Sequence, residues 1–122
     1  MDAIDLGNYY KLDAKAADKR FKGQKMTVRG EIVSFEKPFM RRDYQLLLQS
    51  GDPKTFIQCD LYPPDKFSSV FTVNRGAELV GLQGATQVPM AKVGQTVLVT
   101  GKCRGYNDSG VKVYALDFSI VK

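Results

Sequence analysis

Two segments far apart in the chain carry one template: Gly23-Gln24-x-Met26-x-Val28-x-Gly30 and Gly94-Gln95-x-Val97-x-Val99-x-Gly101. Apolar residues at every second position place one row of side chains in a core, the mark of a half-buried strand. The second glycine of each template removes the Cβ where a strand has to bend sharply. Strands kinked in this way close small barrels, so the repeat constrains architecture before any other residue is weighed.

The rest of the chain supplies three more strands and some helix. Asp13 is placed to cap a helix over Ala14 to Arg20, ended by Gly23, so residues 1–23 read as a helical extension, with Leu6 to Leu12 adding a further turn. The first strand should run from about Gln24 to Glu36, with Met26, Val28 and Ile32 in one phase; Val33 and Phe35, in the other, either turn inward at a bulge after Gly30 or line the outer face. Tyr44 to Gln49 and Phe56 to Leu61 alternate around the turn Ser50-Gly51-Asp52-Pro53 and form a hairpin. Pro63-Pro64-Asp65 then starts a short helix to Thr72, with Phe67, Val70 and Phe71 at i, i+3 and i+4. Residues 74–92, interrupted by glycines and Pro89, show no period and read as an irregular insertion. The fourth strand spans Gln95 to Tyr106 and the fifth Val111 to Val121, with a phase change between Val111, Val113, Ala115 and Leu116, Phe118, Ile120.

At 122 residues, 43% hydrophobic and 25% charged, the chain fits one globular domain covering 1–122. No apolar run reaches the ~18 residues of a membrane span. Met1-Asp2-Ala3-Ile4-Asp5 lacks the basic and apolar regions of a leader, which suits a cytoplasmic chain, or a periplasmic one whose leader has been removed. Histidine is absent, which excludes Ser-His-Asp and Cys-His nucleophiles and the commonest zinc ligand sets. Cys59 and Cys103 lack redox or zinc spacing, and both fall in the inward phase of their strands: core thiols in a reducing compartment, or a disulfide in an exported chain. No catalytic set, metal site or cofactor is expected, and the chain reads as a non-enzyme. The net charge of +5 favours anionic partners.

Three strands, a helix and two strands, with long kinked first and fourth strands, is the element order of the OB-fold, an all-β five-stranded Greek-key barrel. In it the first and fourth strands lie side by side, so the twin templates would bend together. The chain also resembles the tRNA-anticodon-binding-like OB-fold family of small bacterial proteins. The resemblance runs from about Ala16 to Val121, through Ala17-Asp18-x-x-Phe21-Lys22-Gly23, Val28-x-Gly30, Cys59 and Gly94-Gln95-x-Val97-x-Val99-x-Gly101-Lys102-Cys103-x-Gly105. It implies a nucleic-acid-binding role. Many similar proteins look exported or lipid-anchored, whereas this sequence shows no lipobox and carries the 74–92 insertion.

An OB barrel usually binds on the outer face of strands two and three and on the flanking loops. That face offers Gln45, Leu47, Gln49, Phe56 and Gln58, and the loops offer Phe39, Arg41, Arg42, Arg104, Tyr106 and Lys112. Rings stack on bases and cations contact phosphates, so these types suit single-stranded DNA or RNA. Each has a plainer reading. Phe56 packs under the insertion or the helix, Arg41 and Arg42 form a solvated loop beside Asp43, and Tyr106 caps the barrel end. The basic run Lys11 to Lys25 reads as a solvated helix face. The alternative function is a protein-interaction module, possible on the same fold, using the insertion and the Leu47, Phe56 face to hold a protein partner.

Overall fold

The computed structural model describes residues 1–37, 44–52, 55–61, 69–107 and 110–121. Two helices lead: α1 (Ala3–Leu12) and α2 (Ala14–Phe21). The strands are β1 (Lys25–Glu36), β2 (Tyr44–Asp52), β3 (Thr55–Leu61), β4 (Ser69–Val73), β5 (Glu78–Gln83), β6 (Thr86–Lys92), β7 (Thr96–Asn107) and β8 (Gly110–Ile120). Five of them close a barrel in the order β1-β2-β3-β8-β7, and β4-β5-β6 form a separate sheet. The β3–β8 pair is parallel and the other barrel pairs are antiparallel. The architecture is mostly β and OB-fold-like.

The twin templates pair with each other. Val28 faces Val99, Gly30 faces Val97 and Met26 faces Gly101, so each template's second glycine sits beside the first apolar residue of the other. The ends repeat this local two-fold relation. Gly94 N–H donates to Ile32 O (2.8 Å) and Ile32 N–H to Gln95 O (2.9 Å), while Gly23 N–H donates to Cys103 O (2.8 Å) and Cys103 N–H to Gln24 O (2.9 Å). The first glycines, Gly23 and Gly94, have φ of +87° and +93°, a left-handed conformation that costs a side-chain-bearing residue energy. The second glycines are close-approach points. A Cβ on Gly30 would lie 2.8 Å from Ala3 Cβ, and one on Gly101 would run into Tyr114 O.

Both phase changes are bulges. The β1–β2 register shifts between Ile32 and Ser34, which brings Phe35 against the core. On β8 the register shifts beside Leu116, which is 61% exposed, so Val111, Val113 and Ala115 point inward before it and Phe118 and Ile120 after it. Val28, Ile32, Leu48, Ile57, Val99 and Val113 are fully buried.

The helices lie against the barrel. Asp13 caps α2 by accepting from Ala16 N–H at 3.1 Å, and a Cβ on Gly7 of α1 would reach within 2.6 Å of Ser50 Cβ on β2. Leu6, Tyr10 and Phe21 join the barrel core. No helix among the described residues is long and apolar enough to cross a membrane.

Two expectations for the middle of the chain are corrected. Of the helix expected over Asp65 to Thr72, residues 65–68 lie outside the described residues, and Ser69 to Thr72 are strand, paired with β5. Val70 and Phe71 match a helical spacing only within a run of β-branched and aromatic residues, Val70-Phe71-Thr72-Val73, whose preference is for a pleated, half-buried surface. The segment 74–92 is not irregular. It holds β5 and β6, joined through Gly84 at φ +64°.

Candidate functional site

The outer face of β2 and β3 is not an open platform. Gln45, Leu47 and Gln58 are buried, and Gln45 Nε2 donates to Asp60 Oδ1 at 2.8 Å. This corrects the expectation that Gln45, Leu47 and Gln58 are available to a ligand; Gln49 is exposed and Phe56 half-buried.

The face opens further round the barrel, on β8 and β7. Asp60, Tyr114 and Lys102 lie side by side across three strands, as do Gln58, Lys112 and Gly105. Opposed side chains on one sheet face come within ~5 Å at Cβ. Lys112 and Tyr114 are half-buried, and Lys102 and Arg104 are exposed. Arg104 occupies the register shift between Cys103 and Gly105, and a bulged residue is re-aimed relative to its strand. Its guanidinium stands 5.3 Å from the centroid of the Tyr114 ring. The result is an aromatic ring with one cation over it and lysines on the same strand and the next.

Arg104 and Lys112 are therefore brought together. Phe56 sits at the end of the same strip, opposite Gly110 and two residues before Gln58, the neighbour of Lys112. Tyr106 departs from it: it pairs with Val111, whose side chain faces the core, and its ring stacks on Tyr10 at 6.1 Å and 17°. Tyr106 therefore lies at the barrel end, 43% exposed. Phe39, Arg41 and Arg42 lie outside the described residues.

Asp18 organises that barrel end. Its Oδ1 accepts from Tyr10 Oη at 2.8 Å and from Tyr106 N–H at 3.3 Å, which ties α2 to α1 and β7. Tyr10 Oη also lies 3.8 Å from Cys103 Sγ. Burial, then the hydrogen bonds to Asp18 and Cys103, push the Tyr10 phenol well above its usual range. Burial, with Asp60 adding to it, does the same to the Cys59 thiol. Both cysteines are buried and free, and the Cys59 thiol keeps its proton and is shielded from oxidants and electrophiles. Among the described residues no group of three His, Cys, Asp or Glu side chains is placed to hold a metal.

The C-terminal end of α2 lies against Gly105, where a Cβ would come within 2.8 Å of Asp18 Oδ1 and 3.1 Å of Lys22 Cδ. Further along the helices, the Arg20 guanidinium lies 4.9 Å from the Tyr9 ring centroid and 5.2 Å from that of Phe21. Tyr114, Lys102 and Asp18 stand outside the set of site residues expected from sequence. The alternation of Lys112 and Tyr114 against Val111, Val113 and Ala115 is the signal that places Tyr114 outward.

Comparison with known proteins adds a family. Residues 1–114 match the family described as tRNA_anti-like. No curated protein matches the chain.

Proposed function

The chain belongs to the tRNA_anti-like family, and from that premise we propose that it binds single-stranded nucleic acid on the outer strip of β3, β8 and β7, without a catalytic step. The observation that carries this reading is the Arg104–Tyr114 stack with Lys102 beside it and Lys112 on the same strand. A base stacks on the ring and guanidinium, a contact worth ~1 to 3 kcal/mol and indifferent to base identity. Lys102, Arg104 and Lys112 meet the phosphates on either side. Phosphate contacts position a strand and read no bases, so sequence preference is weak.

Fluorescence anisotropy with labelled single-stranded DNA and RNA, titrated at two or more salt concentrations, tests this. Three phosphate contacts give a slope of log K against log salt of about −2 on single strands. Replacing Arg104 and Lys112 with Ala removes about 1.4 of that slope, and Tyr114→Ala weakens binding by ~1 to 3 kcal/mol at every salt concentration. The double variant Arg41→Ala, Arg42→Ala measures separately what those two cations add. Absence of saturable binding to DNA and to RNA at low salt defeats the proposal.

For the alternative reading, a protein partner held by the 74–92 insertion and the Leu47, Phe56 face, Leu47 is buried while Phe56 is half-buried.

A further inference from the structure

One row of side chains crosses four strands of the barrel's outer face: Gln45 on β2, Asp60 on β3, Tyr114 on β8 and Lys102 on β7, each opposite the next. Charge is sorted along it. Lys102 and Arg104 stand exposed on the β7 side of the Tyr114 ring, and the half-buried Asp60 carboxylate stands on the β3 side. Asp60 is also held in place. Its Oδ1 accepts from Gln45 Nε2 at 2.8 Å, and Gln45 is itself buried. Opposed side chains on one sheet face come within ~5 Å at Cβ, so the carboxylate borders the ring.

A carboxylate repels a phosphate, yet it accepts N–H bonds at both oxygens, and a base stacked on a ring brings its Watson–Crick edge to whatever flanks that ring. The row therefore orients a strand: the backbone follows the cations of β7, and the base lies over Tyr114 with its edge toward β3. Resting on the binding reading above, we infer that Asp60 selects guanine at the nucleotide stacked on Tyr114. Guanine presents two adjacent donors, N1–H and N2–H, which meet the two oxygens of one carboxylate. Adenine and cytosine set an amino group beside a ring-nitrogen lone pair, which the second oxygen repels. Thymine and uracil set a single N–H between two carbonyls. The bond from Gln45 leaves Oδ1 a further lone pair for this contact. Two-point contacts of this kind discriminate between bases by roughly 10- to 100-fold. Stacking and phosphate contacts read no base, so the preference is confined to this one nucleotide and the rest of the strand stays unread.

Fluorescence anisotropy on the full chain reads the outcome, with labelled oligothymidylate that is all thymine or carries one central guanine, adenine, cytosine or inosine, at a single low salt concentration. The guanine strand binds roughly 10-fold or more tightly than the thymine, adenine and cytosine strands. Inosine lacks the N2 amino group and loses most of that advantage, a comparison that needs no variant. Asp60→Asn keeps an oxygen for Gln45 Nε2 and turns an amide N–H toward the base. It abolishes the guanine preference, while oligothymidylate binds as tightly as before or more so, a negative charge having left the strip. A structural role for Asp60 would instead weaken every strand alike. Equal affinity for all strands, a preference for adenine or cytosine, inosine bound as tightly as guanine, or a guanine preference that survives in Asp60→Asn overturns the inference and leaves the binding reading standing. Absence of saturable binding to every strand defeats both.

Discussion

The paired strands β1 and β7 and the small sheet β4-β5-β6 are both antiparallel β-structure, yet only the first announces itself in the sequence. In β1–β7 one face is sunk in the barrel core. Val28 and Val99 oppose each other there, fully buried, with the second glycines at points of close approach. Alternation is the necessary consequence of one buried face. In the small sheet the central strand is covered on both faces, with the consecutive residues Leu79 and Val80 both buried, while β4 is half-exposed along nearly its whole length. Neither strand then shows a two-residue period. A strand is legible when burial is one-sided, and hidden when burial is spread over both faces.

Glycine substitution breaks the comparison most strongly. Gly101→Val places side-chain atoms against the Tyr114 carbonyl, a backbone obstacle, and should cost about 3 kcal/mol or more in urea unfolding. Gly84→Ala, in the β5–β6 turn with φ of +64° and open space around it, should cost only ~1 kcal/mol, the penalty of the left-handed conformation. Equal costs at the two positions would show that crowding does not distinguish the twin strands.

Asp18→Ala probes what anchors α2 to the twin pair. It removes the acceptor of Tyr10 Oη and of Tyr106 N–H, and loss of one acceptor serving two donors should cost ~1 to 3 kcal/mol. Unfolding by urea at pH 7 measures it, and faster exchange of α2 amides locates it.

Alkaline pH acts on the barrel through two buried groups. Tyr10 and Cys59 both have raised pKa values in the folded chain, so the unfolded chain gives up these protons first. It then binds fewer protons than the native state, and stability falls as pH rises. The loss begins above about pH 8.5 for the thiol and about pH 10 for the phenol, at up to ~1.4 kcal/mol per pH unit for each group. Tyr10→Phe should flatten the phenol's share of the profile between about pH 10 and 11. An unchanged profile would mean that Tyr10 keeps its proton no more tightly folded than unfolded.

The smallest effect is expected at Leu116, which the β8 bulge turns out to 61% exposure. Leu116→Gln should change stability by less than ~0.5 kcal/mol, whereas a larger loss would place that side chain under cover.

The family reading was legible for the reason that the barrel was: its glycines, Cys59 and the apolar rows are structural positions repeated in the sequence, and the family match runs over residues 1–114. The site was less so. Arg104 and Lys112 were reached through the expected loop between the last two strands, but Tyr114 was obscured, because the phase change at Leu116 left the inward face of β8 ambiguous. The Leu47, Gln58 face was misjudged because alternation says which residues point away from the barrel interior, not whether something lies over them.

By itself, then, the sequence determined the barrel strands and their bends, since each follows from local period and from a missing Cβ. Only tertiary structure decided that Val70 and Phe71 are strand rather than helix, that Tyr106 stacks on Tyr10, and that Arg104 and Tyr114 share one surface. Those outcomes depend on which segments become neighbours across the fold, and a side chain's partner at long range is written in no local pattern.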